Sequence, residues 1–165
     1  MPLSPASASV AGHVAGKLIT FNDNGAWCWY QDPRAVVDKV NNTIIVGSVA
    51  ATEGPDGGKR GGNIEAAVYD ITTGVCNVVV LHKRLQADDH NAPAFFIRPD
   101  GRYLAVYTKH NCEKRAYWRI SARPHDAGSW QPEKTFSLTG CIGKSRITYS
   151  NLNCLSTEKK LYNFF

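Results

Sequence analysis

The amino-acid sequence predicts an all-β fold, in particular a partial β-propeller. Helical periodicity is almost absent, and short β-rich runs are separated by turn residues along the chain. A pattern of strand, turn and strand also recurs at a step of about 59 residues and then about 58 residues. Repeats of roughly 40–50 residues with four strands each are typical of propeller blades, and inserted loops account for the longer step.

The predicted strands are spaced along the chain with turn-forming residues between them. Segments rich in Gly, Pro, Asn, Asp and Ser separate the runs, as is usual for antiparallel strands joined by short turns. The eleven predicted strands are 17–21, 35–37, 43–50, 64–69, 75–82, 94–97, 103–108, 116–122, 134–138, 151–155 and 160–164.

The repeat predicts two blades and the opening hairpin of a third. Its copies begin at Ala35, Ala94 and Asn151. Because propellers typically close with about 4–8 blades, we expect the chain to be a fragment of a larger propeller. Residues 1–16 are rich in Ala, Ser and Pro and are expected to be a disordered lead-in, and residues 17–165 to form the partial propeller. The lead-in lacks the basic and continuous apolar parts of a secretion signal.

Two segments between strands carry weaker patterns. Residues 54–62 are rich in glycine but lack the Gly-Lys-Ser/Thr ending of a phosphate-binding loop, so we expect a mobile loop there. Residues 125–130 resemble a degenerate Asp-box, the turn that decorates sialidase-type blades.

The composition excludes several classes of partner and site. The net charge is +5, but the basic residues are scattered, which suits an acidic substrate at least as well as nucleic acid. No RNA-binding signature, helical basic region or membrane-spanning stretch is present, so neither nucleic acid nor a membrane is an expected partner. Five cysteines without a CxxC pair argue against a disulfide framework or a zinc motif. The densest basic patch consists of Lys109, Lys114, Arg115 and Arg119.

A pair of histidines is the most informative feature for chemistry. A hairpin turn at Asp100-Gly101, with cross-strand partner numbers that sum to about 201, places His110 opposite Asn91 and beside His90. Imidazoles titrate near neutral pH and pass protons in both directions. The structural alternative is that the two rings cap a strand end by bonding to the backbone.

The repeat register brings further polar residues to the same end of the predicted blades. Residues 32–34, 90–91 and 148–149 occupy equivalent positions before successive innermost strands, at one mouth of the channel. The guanidinium of Arg34 would neutralise a substrate carboxylate or, alternatively, brace its own turn against Asp32. The phenol of Tyr149 could exchange a proton. Paired-carboxylate hydrolysis is disfavoured, because consecutive Asp88 and Asp89 point to opposite faces of a strand.

Three segments together with His110 resemble the BNR-repeat ulvan lyases, which are seven-bladed β-propeller polysaccharide lyases. The segments are 27–35, 88–93 and 148–152, and the resemblance runs from about residue 25 to residue 165. It implies a secreted enzyme that cleaves ulvan, a sulfated rhamnose–uronate polysaccharide, by β-elimination. It also implies an arginine that neutralises the uronate carboxylate, expected shortly after residue 165. We expect the chain alone to be inactive, because the channel wall that completes the site is absent.

The resemblance implies that His90, His110 and Tyr149 are the catalytic residues. We expect His90 and Tyr149 to be the proton-transfer pair, with their acid and base roles left open, and His110 to orient or neutralise. Asn91, Lys109 and Arg34 are the predicted substrate-binding residues.

The chemistry needs no cofactor. Some members of the family carry a structural calcium or zinc ion, but no residue here identifies its ligands. Two alternatives remain open, a non-catalytic propeller that binds acidic glycans and a sialidase-like hydrolase.

Overall fold

A computed structural model describes residues 18–29, 31–138 and 146–165 of the chain. The predicted lead-in, 1–16, lies outside the described residues. Apart from a four-residue helix, α1 (Gly57–Arg60), and a short 3-10 helix (Asp89–Asn91), the regular structure there is β-strand. The strands are β1 (Ala35–Asp38), β2 (Thr43–Val49), β3 (Ile64–Asp70), β4 (Cys76–His82), β5 (Ala94–Ile97), β6 (Tyr103–Thr108), β7 (Arg115–Arg123), β8 (Asp126–Trp130), β9 (Lys134–Ser137), β10 (Asn151–Leu155) and β11 (Lys160–Phe164). No described helix is long and apolar enough to cross a lipid bilayer.

The strands form two consecutive antiparallel blades and a further hairpin, as predicted. Strands β1 to β4 pair in order in the first blade. Strands β5 to β8 pair in order in the second, and β9 also pairs with β7. The outer strand of the second blade is therefore split, with β8 along one end of β7 and β9 along the other. Strands β10 and β11 form the hairpin.

Three sequence predictions about elements were wrong. Residues 18–21 form no strand, and the apolar side chains of Leu18 and Ile19 are at least half exposed rather than buried in a sheet face. Strand β8 was missed because Asp, Gly and Ser have low strand propensity. Its first residue, Asp126, keeps turn-like contacts, since its carboxylate accepts a hydrogen bond from Gly128 N at 2.8 Å.

The third correction concerns the glycine-rich loop, which is not a loose connection. It contains α1, whose last residue, Arg60, donates to Glu65 at 2.9 Å and to Asp23 at 2.8 Å. Glu65 is buried in β3, so the guanidinium fixes the loop to the first blade.

One hydrophobic core joins the faces of the two blades. Within it, the backbone of Gly47 in β2 packs closely against the rings of Pro93 and Phe95. A Cβ built on Gly47 would lie only 2.7 Å from Pro93 and 2.8 Å from Phe95. Glycine in β2 thus lets the second blade approach. Residues from both blades in this core are Ile45, Val49, Ile64, Ala66, Leu81, Phe95, Tyr103, Ala105, Tyr107 and Tyr117.

A buried polar cluster adds a second link between the blades. The Asp38 carboxylate at the end of β1 accepts hydrogen bonds from Tyr103 Oη at 2.5 Å and from His125 Nδ1 at 2.7 Å. Asp38 is almost fully buried, whereas both donors come from the second blade. The carboxylate therefore fixes how the two blades sit against each other.

The first strands of the three units lie side by side, which positions the candidate site. Strand β5 packs against both β1 and β10. The residues that precede these strands consequently meet at one end of the blades, as the repeat register predicts.

Candidate active site

The segment between β4 and β5 presents the first histidine. Asp88 caps the short 3-10 helix, since its Oδ1 accepts a hydrogen bond from His90 N at 3.0 Å. Aspartate is a favoured capping residue because its side chain satisfies a backbone N–H that lacks a helical partner. The cap fixes the positions of Asp88 and His90 relative to each other.

The same carboxylate holds both imidazoles. Asp88 Oδ1 lies 2.6 Å from His90 Nδ1, and Asp88 Oδ2 lies 3.0 Å from His110 Nδ1. The centroids of the two rings are 3.9 Å apart, with an interplanar angle of 32°. The neighbouring Asp89 Oδ1 lies 2.8 Å from His90 Nδ1 and is more exposed than Asp88. The predicted pairing of the two histidines is therefore observed, and its organising residue is Asp88.

The register of the β5–β6 hairpin differs slightly from the predicted one. Ala94 pairs with Val106 and Ile97 with Tyr103, so partner numbers sum to one less than expected. Continued past the strand ends, this register puts His110 opposite His90 rather than opposite Asn91. The turn tightens at Gly101, whose φ of +76° favours glycine.

Gln86 ties the backbone of His110 to the preceding loop. Its Oε1 accepts a hydrogen bond from His110 N at 2.8 Å and another from Asn91 Nδ2 at 3.1 Å. Asn91 is 1 % exposed and also donates to Gln86 O at 3.2 Å. The contacts of Asn91 are those of a residue that supports the histidine loop, so they do not favour its predicted substrate-binding role.

Tyr149 adds a third ring to the cluster. The centroid of its ring lies 5.2 Å from that of His90, and its Oη lies 3.9 Å from the sulfur of buried Cys28. Its backbone adopts φ of +60°, a left-handed conformation that costs a non-glycine residue about 1–3 kcal/mol. Thr108 Oγ1 donates to Tyr149 O at 3.2 Å, which helps to hold this conformation next to the end of β6. The sequence register thus predicted the proximity of Tyr149 to the histidines correctly.

Arg34 is held in a buried brace. Its side chain is 3 % exposed and forms an ion pair with Asp32 Oδ1 at 2.9 Å. It also donates to Ser150 O and, at 3.2 Å, to Asn151 Oδ1. Desolvation by burial lowers the pKa of the guanidinium, against the opposing charge of Asp32. These contacts favour the bracing interpretation over the predicted contact with a substrate carboxylate.

Lys109 lies beside the histidines on a more open surface. Its side chain is about one-third exposed, and its Nζ is 3.6 Å from Glu113 Oε1. A partly neutralised, partly exposed ammonium group at this position is compatible with the predicted contact to an acidic ligand, which stays a prediction.

The electrostatics of the cluster keep Asp88 ionised. Burial opposes its charge, but the hydrogen bonds from His90 N and from the imidazoles of His110 and His90 outweigh burial. The pKa of the Asp88 carboxyl therefore lies below its ordinary value. An ionised carboxylate accepts hydrogen bonds at both oxygens, as the geometry requires.

As arranged, the donor groups at this site form hydrogen bonds rather than the coordination shell of a calcium or zinc ion. Two sets could in principle coordinate a metal, Cys28 with Asp89 and His90, and Asp88 with His90 and His110. Calcium prefers six to eight oxygen ligands. Two ligands of a tetrahedral zinc ion, each about 2.0–2.1 Å from it, lie roughly 3.3 Å apart. The carboxylate–imidazole contacts of 2.6 and 2.8 Å are hydrogen bonds instead.

One cleft borders the cluster, and another is lined by the segment that leads into β1. One, of about 190 Å³, is bordered by Asp88 and Asp89. The other, of about 410 Å³, is lined by Trp27, Trp29 and the Arg34 turn. Trp27 and Trp29 are 60 % and 79 % exposed and lie on either side of Cys28 in sequence. Large exposed aromatic surfaces of this kind usually mark a site of interaction.

Sequence reasoning identified the three rings but missed the residues that arrange them. The sequence indicates Asp88 only as part of an acidic pair, and no sequence pattern singles out Gln86. The capping position of Asp88, directly before a short turn that contains a histidine, is a signal from which its role could have been found.

The comparisons with known proteins agree with this architecture. The profile of the BNR repeat-containing family matches residues 58–165. No curated protein sequence matches the chain. Two solved structures of an ulvan lyase from a new family of polysaccharide lyases, PL25, are similar at a TM-score of 0.60 and 18 % identity, and one of them is bound to -[GlcA(1-4)Rha3S]-.

The match to these structures covers 90 % of this chain and 35 % of theirs, so the chain spans about a third of their length. At this identity the likeness concerns the fold, and it agrees with the propeller blades described above. The expected resemblance to BNR-repeat proteins is confirmed, and the chain belongs to the BNR repeat-containing family.

Proposed function

We propose that the whole protein is a polysaccharide lyase that cleaves a uronate-containing, sulfated polysaccharide of the ulvan type by β-elimination. The observation that carries the proposal is the cluster of three proton-exchanging rings, in which the centroid of His90 lies 3.9 Å from that of His110 and 5.2 Å from that of Tyr149. The fold similarity to an ulvan lyase supports the class of reaction.

The reaction makes three demands on a site. The proton on the carbon next to the uronate carboxylate is only weakly acidic, so the developing negative charge must be stabilised. A base removes this proton, and the electron pair of the C–H bond forms a carbon–carbon double bond. The bond from the adjacent carbon to the glycosidic oxygen breaks at the same time, and an acid supplies a proton to the departing oxygen.

His90 and Tyr149 are proposed as the proton-transfer pair. The centroids of their rings lie 5.2 Å apart, close enough for both to contact one sugar. One takes the proton and the other supplies one to the leaving oxygen, with no net change in protons on the enzyme after exchange with water. His110, whose ring lies 3.9 Å from that of His90, would orient the pair or stabilise charge.

An acidic polymer suits the surroundings of these rings. Lys109 lies next to His110, and the chain carries a net charge of +5, so a polyanion would be attracted over a distance set by the salt concentration. Action on such a polymer would take place outside the cell, which is the location that we propose for the protein.

The proposal is tested by following the products of the whole protein on ulvan and on a neutral polysaccharide. Elimination creates an unsaturated uronate, which absorbs at the ultraviolet edge, whereas hydrolysis and simple binding create no such chromophore. We expect absorbance to rise with ulvan only. Binding without any cleavage would instead support a non-catalytic glycan-binding propeller, and cleavage without absorbance would support a hydrolase.

A further inference from the structure

We propose that Asp88 is a positioning residue that sets the tautomer of both His90 and His110, and thereby presents the two Nε2 atoms to substrate. The inference rests on the proposed function for its catalytic consequence, but the arrangement of protons can be measured without any activity. The geometry that points to it is one carboxylate with a separate imidazole on each oxygen.

The position of the protons follows from hydrogen-bond chemistry. An ionised carboxylate only accepts hydrogen bonds, so each ring nitrogen that faces it must carry a hydrogen. The facing atom is Nδ1 in both rings, at 2.6 Å in His90 and 3.0 Å in His110. In each neutral ring the lone pair must then be on Nε2.

Asp88 is itself fixed, as a positioning residue must be. Its Oδ1 caps the short helix through His90 N at 3.0 Å, and its own N–H donates to Gln86 O at 3.0 Å. Gln86 in turn accepts from His110 N at 2.8 Å. The carboxylate and both histidine backbones therefore belong to one hydrogen-bonded unit.

The arrangement has a direct consequence for proton transfer. A ring with its lone pair on Nε2 can accept a substrate proton there, and the cation that forms remains bonded to the carboxylate through Nδ1–H. The other tautomer would direct Nε2–H toward substrate and place the lone pair of Nδ1 against the carboxylate, where it repels the negative charge. Asp88 thus stabilises the Nδ1–H tautomer of each ring relative to the Nε2–H tautomer.

The substitution Asp88→Asn separates this role from general folding. Asparagine keeps one oxygen, so it can still cap the helix. Its second polar atom is an NH₂ group, which donates instead of accepting, and it cannot satisfy Nδ1–H of both rings. At least one ring is therefore expected to change to the Nε2–H tautomer.

The first measurement is nitrogen NMR of the whole protein with isotope-labelled histidine, at a pH where the imidazoles are neutral. We expect Nδ1–H in both rings of the natural protein and the loss of this state in at least one ring of Asp88→Asn. Asp70→Asn removes the same charge away from the site, at the end of β3, and should leave both tautomers unchanged. Nε2–H in both rings of the natural protein, or two unchanged rings in a folded Asp88→Asn, would overturn the proposal.

The second measurement is steady-state cleavage by the whole protein. Asp88→Asn should lower kcat by about 10²-fold or more with little change in KM, since the wrong tautomer costs about 10⁴-fold in a serine-protease triad. Asp70→Asn, in an exposed turn, is the matched control. Full kcat in Asp88→Asn, with His90→Ala inactive, would overturn the positioning role and leave the lyase intact. The expected tautomers in a protein without eliminative activity would instead overturn the proposed function alone.

Discussion

The rings of His90 and His110 lie 3.9 Å apart although they come from the two ends of a hairpin, and one carboxylate, Asp88, contacts both. Hairpin register alone brings the residues near each other. The fixed distance and orientation come from the carboxylate, which belongs to the turn before the hairpin. The site is thus built by a loop and a sheet together, with Tyr149 added from the next unit.

Tyr149→Phe removes only the phenolic oxygen, so it tests the proton-transfer role of this residue. We expect kcat for eliminative cleavage by the whole protein to fall by about 10²–10⁴-fold, the usual effect of losing a positioned acid or base. Thermal unfolding should change little because the ring remains. Tyr162→Phe, which removes a hydroxyl bonded to exposed Glu158, is the control and should keep full activity.

Lys109→Ala tests the attraction of an acidic polymer. We expect KM to rise and the dependence of kcat/KM on salt to weaken, because the lysine acts through a screened charge. The turnover number should stay near its natural value. Lys160→Ala on strand β11, where Nζ lies 3.7 Å from Glu158, provides a control with the same loss of charge. An equal effect of both substitutions would show that only net charge matters.

Arg34→Met tests whether this arginine braces the fold. The substitution leaves Asp32 and the acceptors at Ser150 and Asn151 without their donor, so the free energy of unfolding should fall by about 2–4 kcal/mol. The measurement is denaturant unfolding of the chain. Arg123→Met breaks an exposed pair with Asp126 and should cost less than about 1 kcal/mol. Unchanged stability together with a raised KM would favour substrate binding by Arg34 instead.

Asp38→Asn tests the polar link between the blades. Burial opposes the Asp38 charge, but hydrogen bonds from Tyr103 and His125 outweigh it, so the pKa of this carboxyl is lowered. The folded pKa lies below the unfolded one, so the stabilisation is present above the unfolded value and is lost as the pH falls through the folded value. The variant should be less stable by about 1–3 kcal/mol at neutral pH.

The difference in the free energy of unfolding between the natural protein and Asp38→Asn should narrow only as the pH falls below about 4, the pKa of aspartate in an unfolded chain. Denaturant unfolding at several pH values measures it. A difference that is the same at neutral pH and at strongly acidic pH would contradict the contribution of the Asp38 charge. Asp56→Asn, which alters an exposed carboxylate that makes no capping hydrogen bond, should change stability by less than about 0.5 kcal/mol.

The sequence predicted most of the sheet topology because periodicity and turns are local properties. Strands β5 and β6 have the predicted bounds, and the repeat placed Ala35 and Ala94 correctly at the start of equivalent strands. Strand β8 was missed, since its residues favour a turn and only pairing with β7 makes them extended. The conformation of this segment is therefore determined by a tertiary contact and not by its local sequence.

The sequence predicted which residues form the candidate site but not which contacts they make. The repeat register brought Tyr149 to the histidines, but it could not show that Arg34 is buried against Ser150 and Asn151. It also could not assign Asp88, because a carboxylate shared by two rings depends on side-chain geometry rather than on spacing. Such contacts emerge only when three segments of the chain meet.

The central claim, that the whole protein cleaves its polysaccharide by elimination at the His90 site, is tested most directly by mass spectrometry of the products. Elimination adds no water, so the masses of the fragments from a uronate-containing oligosaccharide sum to the mass of the parent. We predict this result for the natural protein and no cleavage for His90→Ala. Fragments whose masses sum to the parent plus one water for each cleavage, or undiminished cleavage by His90→Ala, would contradict the account.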